Sequence, residues 1–187
     1  MKLTDQDIEA IARRIAGDLR GSPAPAPAAA PATSPAPASS FAEGTLGVFK
    51  TVDEAVAAAK AAFPSFSALC LSKRAQIIEN IRAVMRENAT ALAKAAYDET
   101  GYGRFEDKIQ KNQLVIEKTP GTEDLQPTAW TGDHGLTLME PAPYGIIGAI
   151  TPTTNPTSTI ICNAIGMLAA GNLVVFNVHP AATHCST

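Results

Sequence analysis

Ile146-Ile147-Gly148-Ala149-Ile150-Thr151-Pro152-Thr153-Thr154-Asn155-Pro156 runs without a break into Thr157 to Ala170, and Gly171-Asn172 then leads to Leu173-Val174-Val175-Phe176-Asn177-Val178. The first apolar run, taken from Tyr144 to Thr151, reads as a strand. Pro156 to Ala170 reads as a buried helix, with Ile160, Ala164 and Met167 at helical spacing and Gly171 just beyond its end. Leu173 to Val178 is the continuous apolar run of a parallel strand covered on both faces. Strand, helix and strand within about 35 residues make a right-handed βαβ crossover, so the fold class is α/β.

Upstream of this unit the texture is helical. Thr51 and Glu54 form a capping-box pattern, and Val52, Val56, Ala59 and Phe63 stripe a helix predicted to stop at Pro64. Ser72 opens a second helix carrying Ile78, Ile81 and Met85. Asn88 caps a third, with Leu92 and Tyr97, closed by Gly101. A fourth carries Phe105, Ile109 and Ile116 and ends at Pro120-Gly121. Leu136 to Met139 is a further strand, and the Pro-Ala-Pro connector that follows it splays the chain where a tight hairpin would otherwise form.

Residues 1–20 have a different character. Ile8, Ile11, Ile15 and Leu19 recur at spacings of three and four, with Asp5, Glu9, Arg13 and Arg20 elsewhere on the wheel. This pattern predicts an amphipathic helix, too short to be stable alone. Residues 21–40 hold 6 of the 14 prolines, 8 alanines and 4 serines with no charge, a composition that favours an extended, disordered linker. A helix on such a tether is expected to dock on a separate partner. The chain thus divides into a targeting helix at 1–20, a linker at 21–40 and a foldable block at 41–187.

The 187 residues carry 15 Lys+Arg against 18 Asp+Glu, a formal charge of -3, with no basic run of the kind that binds phosphate backbones. Nucleic acid is therefore not an expected partner. Nor is a membrane, because Thr, Asn, Pro and Gly break the apolar stretch from Ile146 to Val178. Residues 1–20 lack the apolar core of a secretory signal, so a cytoplasmic protein is expected. Three scattered histidines give no zinc spacing, and no metal site is expected.

Ligands of open α/β sheets bind beyond the carboxyl ends of the strands. Here those ends are Thr151-Pro152-Thr153-Thr154-Asn155 and Asn177-Val178-His179-Pro180. The first runs into a helix N-terminus, which suits a pyrophosphate, or an oxyanion with the Asn155 amide as donor. The local pattern alone favours a simpler role for Thr153, Thr154 and Asn155 as helix caps. No Gly-x-Gly-x-x-Gly fingerprint is present.

Glu99-Thr100-Gly101-Tyr102-Gly103, Glu106-Asp107-Lys108, Thr119-Pro120-Gly121, Thr131-Gly132-Asp133, Thr151 to Pro156, Ala169-Ala170-Gly171-Asn172 and His179-Pro180 share an order and spacing. In these motifs the chain, from about Gly47 to Ala182, resembles the CoA-acylating aldehyde dehydrogenases of bacterial microcompartments. The resemblance implies oxidation of a short aldehyde, acetaldehyde or propionaldehyde, with NAD. The reaction would pass through a cysteine thiohemiacetal and a thioester that CoA attacks. It implies Asn155 as the oxyanion donor, and Thr151, Pro152, Thr153 and Thr154 as the loop lining the nicotinamide and pyrophosphate path. Asn177, His179 and Pro180 correspond to the segment near the adenosine ribose. Non-acylating relatives often carry a lysine there, and its absence is consistent with an adenosine pocket shared by NAD and CoA. Residues 1–20 resemble the encapsulation peptide of those enzymes, which implies a shell or cargo partner and a place in the microcompartment lumen. A homo-oligomer is expected for the full-length enzyme.

By this resemblance the nucleophile is expected in a later segment that these 187 residues do not include, together with the rest of the cofactor sheet and most of the catalytic domain. Cys70, between Leu69 and Leu71, reads as a small buried hydrophobe, and Cys162 as a packing residue of the crossover helix. Cys185 lies in Thr183-His184-Cys185-Ser186-Thr187, where the resemblance leads one to expect Ala-Lys, and its pairing with His184 reads as accidental. The chain is thus expected to be the N-terminal part of a dehydrogenase. The other reading is a non-catalytic cargo or interaction protein.

Overall fold

The computed structural model describes residues 47–187; the amphipathic helix expected at 1–20 and the linker expected at 21–40 lie outside the described residues. Helix α1, Val52–Ser67, starts at the expected capping box, in which the Glu54 N–H donates to Thr51 Oγ1 at 3.2 Å and the Thr51 N–H to Glu54 Oε2 at 3.3 Å. It does not stop at Pro64. A proline three residues from a helix end forfeits one backbone bond, and the hydroxyls of Ser65 and Ser67 donate to the carbonyls of Ala62 and Pro64 there.

Helix α2 is a single element, Leu71–Thr100, where two helices divided at Asn88 were expected. Asn88 does not cap. Its side-chain amide bonds back to the Val84 carbonyl at 2.8 Å, the arrangement by which a short polar residue sits inside a helix without breaking it. Gly101 ends α2 as expected, at φ 66, with its N–H on the Tyr97 carbonyl. Helix α3, Phe105–Lys118, follows.

Strands β1, Thr128–Gly132, and β2, Gly135–Met139, form an antiparallel hairpin about Asp133-His134. The sequence reading did not include β1. Every residue of the hairpin is exposed, so β1 lacks the buried alternation that marks a strand. The Pro-Ala-Pro connector separates β2 from β3, as expected, and the two do not pair.

Strand β3, Ile146–Ile150, helix α4, Pro156–Ala169, and strand β4, Leu173–Asn177, form the predicted crossover, with β3 and β4 parallel and Ile146 opposite Leu173. Asn172 fixes the amino ends of both strands, since its Oδ1 accepts the N–H groups of Tyr144 at 2.6 Å and Gly145 at 3.0 Å. A 3-10 turn, Pro180–Ala182, and a short helix α5, Thr183–Ser186, close the chain.

The core lies where α2, α3 and α4 meet, with Ile78, Ala89, Ile116, Ile161, Ile165 and Ala169 buried together. Burying an isoleucine contributes roughly 1.5 to 3 kcal/mol, so these helices hold the N-terminus of α4 as one block. Arg82 sits inside the block, 6% exposed, donating to the carbonyls of Ile116 and Thr119 where α3 ends. Among the described residues no helix is long and apolar enough to cross a membrane.

Candidate functional site

The two predicted ligand-binding segments are brought together. At the carboxyl end of the sheet the Thr151 N–H donates to the carbonyl of Asn177, the last residue of β4, at 3.2 Å, so the two segments start side by side. Thr151 is 1% exposed, and its Oγ1 has no hydrogen-bond partner among the described residues. The buried Thr153 Oγ1 also has no partner among the described residues. Buried hydroxyls without partners are uncommon because each costs desolvation free energy. Both belong to the loop that leads into the N-terminus of α4, whose first N–H groups have no intrahelical acceptor. Pro156 occupies the first helical position, and no side chain caps the helix.

Asn155 occupies the N-cap position with φ -138 and ψ 58, yet its side chain does not cap α4. Its carbonyl accepts the Thr159 N–H at 3.1 Å, and its side-chain Oδ1 accepts from Lys111 Nζ at 3.1 Å. The capping role favoured by the local pattern is therefore not the one the Asn155 side chain plays. Pro152 and Thr154 are exposed.

Helix α3 supports this loop through side chains that the sequence reading did not assign. Lys108, 6% exposed, donates from Nζ to the Thr154 carbonyl at 3.2 Å. Burial, and then the neighbouring Lys111 ammonium, hold its pKa below the usual lysine value. Asn112 donates to the Ala89 carbonyl at 3.0 Å and accepts from Thr157 Oγ1 at 3.0 Å, linking α2, α3 and α4. Lys108, Lys111 and Asn112 recur at helical spacing, which signals a shared face but not its target.

On the second loop, His179 Nδ1 accepts the Ala181 N–H at 3.1 Å and caps the 3-10 turn. His179, Pro180 and Asn177 are exposed. The turn leads into α5, where Glu99 accepts the N–H groups of His184 at 2.8 Å and Cys185 at 2.7 Å. Burial raises the Glu99 carboxyl, but these two donors outweigh it, and the pKa lies below the usual value.

The three cysteines differ. Cys185 is 7% exposed, and burial together with the Glu99 carboxylate pushes its thiol up to about 12, so it is no thiolate near neutrality. Cys162 is half-buried in α4. Cys70 is exposed, contrary to its reading as a buried hydrophobe. It is the N-cap residue of α2, and its Sγ turns to Ser72 Oγ at 3.2 Å. That hydrogen bond, then the Lys73 N–H, lowers its pKa.

Residues 24–187 match the aldehyde dehydrogenase family, and the chain belongs to it. The chain is 52% identical over 143 residues to the acetylating acetaldehyde dehydrogenase of Bilophila wadsworthia, covering 76% of this chain and 29% of that protein. Among solved structures it is similar to a propionaldehyde dehydrogenase from the Clostridium phytofermentans fucose utilisation bacterial microcompartment, with 56% identity and a TM-score of 0.72 over 75% of this chain and 32% of that one. A Rhodopseudomonas palustris propionaldehyde dehydrogenase with bound propionyl-CoA has 52% identity and a TM-score of 0.72, covering 75% and 31%. An engineered glycolyl-CoA reductase with bound NADP+ has 51% identity and the same TM-score, covering 75% and 32%. The chain thus spans about a third of the length of the relatives it matches.

Proposed function

We propose that this chain supplies the cofactor loops and oxyanion donor of an NAD-dependent, CoA-acylating aldehyde dehydrogenase. Its substrates would be a short aldehyde, acetaldehyde or propionaldehyde, with NAD and CoA, and its products acyl-CoA and NADH. The observation that carries the reading is the pair of hydroxyls without partners among the described residues, Thr151 Oγ1 and Thr153 Oγ1, in the loop that leads into the open N-terminus of α4. A dinucleotide would bring sugar hydroxyls and phosphate oxygens to the loop that carries them. Asn177, His179 and Pro180, on the adjoining loop, would line its adenosine end. The nicotinamide, when bound, supplies the hydride acceptor. Pro152 and Thr154 complete the loop that Lys108 holds from behind.

Asn155 would act on the substrate. When a thiolate adds to the aldehyde carbon, charge develops on oxygen, and the Asn155 Nδ2–H group is free to donate to it. A pre-positioned donor stabilises this charge without reorganising at the moment of reaction. None of Cys70, Cys162 and Cys185 is the nucleophile in this proposal; the thiolate comes from a segment outside residues 1–187.

Residues 1–20 would direct the protein to a microcompartment shell or cargo partner, a reading supported by the microcompartment source of a solved relative. The complete enzyme would be a homo-oligomer. The test uses the 187-residue chain labelled with 15N. Adding NAD should shift the amide signals of Thr151, Thr153, Thr154, Asn155 and Asn177. Shifts confined to other residues would contradict the assignment. The same chain should produce no CoA-dependent NADH, and steady turnover abolished by Cys162→Ser would overturn the placement of the nucleophile.

A further inference from the structure

We propose that Lys111 is a positioning residue that decides which end of the Asn155 amide faces the reacting carbonyl. The inference rests on the oxyanion role given to Asn155 above. An ammonium has donors and no acceptor, so it can bind only the oxygen of an amide. Lys111 Nζ is 3.1 Å from Asn155 Oδ1. The Nδ2 group is thereby turned the opposite way, as a donor.

Two features make this a built arrangement. The Asn155 side chain forgoes the cap bond normal for its position, so local backbone geometry does not choose its orientation. Lys111 also comes from the same helix face as Lys108, which holds the preceding carbonyl at Thr154, and Asn112, which holds Thr157. The three contacts fix the loop on both sides of Asn155. The Lys111 charge on Oδ1 further polarises the amide and strengthens Nδ2–H as a donor.

Lys111 is exposed, so its substitution leaves the core intact. The test has two arms. In the 187-residue chain, the Asn155 side-chain NH2 signals should move and broaden in Lys111→Met, stay near their original positions in Lys111→Arg, and leave the backbone amides of α4 unchanged. Unmoved side-chain signals in Lys111→Met overturn the proposal, as does equal disturbance of the whole helix.

In a chain extended to the length of its relatives, kcat should fall about tenfold in Lys111→Met, with KM for NAD and CoA unchanged. Lys111→Arg should retain activity within a few-fold. Lys111→Glu should be the worst, down about 10²-fold, because a carboxylate draws Nδ2 to itself and presents Oδ1 to the developing negative charge. Lys111→Glu no slower than Lys111→Met overturns the proposal. Combining Lys111→Met with Asn155→Ala should add nothing to the loss from Asn155→Ala. If Asn155→Ala alone is harmless, the oxyanion reading fails, while the amide signals still report whether Lys111 orients Asn155.

Discussion

Thr151, the residue after β3, donates its backbone N–H to the carbonyl of Asn177, the last residue of β4, and its own hydroxyl is buried without a partner among the described residues. The bond closes the parallel ladder at its carboxyl end and fixes the first residue of the strand-end loop. The hydroxyl is carried at a cost that folding alone does not explain.

Thr151→Val removes that hydroxyl and keeps the shape. Losing a buried, unsatisfied polar group should leave the chain equally stable or more stable by about 1 kcal/mol. Binding of NAD should weaken. Urea unfolding midpoints and the NAD titration separate the two effects, and a destabilised variant with unchanged binding would show that the hydroxyl has a structural partner.

Arg82→Ala should be costly. The guanidinium donates to the Ile116 and Thr119 carbonyls at the end of α3 and also reaches Glu79 and Glu123. Its loss leaves these carbonyls without their charged donor, at a cost of about 2 to 4 kcal/mol. Chemical denaturation measures this directly; a change within 0.5 kcal/mol, roughly that of an ordinary surface substitution, would discount the buried contacts.

Acidification should release α5. Glu99 has a folded pKa below its unfolded one, so its stabilising contribution is full above the unfolded value and fades as pH falls through the folded value. A disulfide probe active at low pH should label Cys70 quickly and Cys185 slowly near neutrality. Labelling of Cys185, corrected for the intrinsic pH dependence of thiols, should quicken below the normal carboxylate range. Glu99→Ala should quicken it near neutrality, and its difference from the unmodified chain should vanish in acid, where Glu99 is protonated. Cys185 labelling as fast as that of Cys70 in the unmodified chain would show that α5 is not docked.

Most of the crossover could be read from sequence because its signals are local. Apolar runs, a proline at the helix start and Gly171 after its end each depend on neighbouring residues. Asn88 and Pro64 misled for a related reason: their usual roles at helix boundaries were overridden, at Asn88 by a bond to Val84 and at Pro64 by a helix with only one turn left to run. Exposed β1 carried no alternation to detect. At the site, Thr151, Asn155 and Asn177 follow from strand-end geometry. Lys111 and Glu99 do not, because their partners lie 44 and 85 or 86 residues away. Only folding reveals contacts of that span.

The docking role proposed for residues 1–20 can be tested by fusion. Fused to a fluorescent protein, they should carry it into microcompartment shells. Ile11→Glu puts a charge in the centre of the apolar stripe and should abolish targeting, whereas Glu9→Gln on the polar face should not. Equal encapsulation of the Ile11→Glu and unmutated fusions would rule out docking through this stripe.

The most direct measurement is kcat of Asn155→Ala in a chain extended to the length of its relatives, with acetaldehyde or propionaldehyde, NAD and CoA saturating. Removing one oxyanion donor should lower kcat by about 10² to 10³ with folding unchanged. A rate within a few-fold of the parent would contradict the account and leave Asn155 as a residue that only shapes the start of α4.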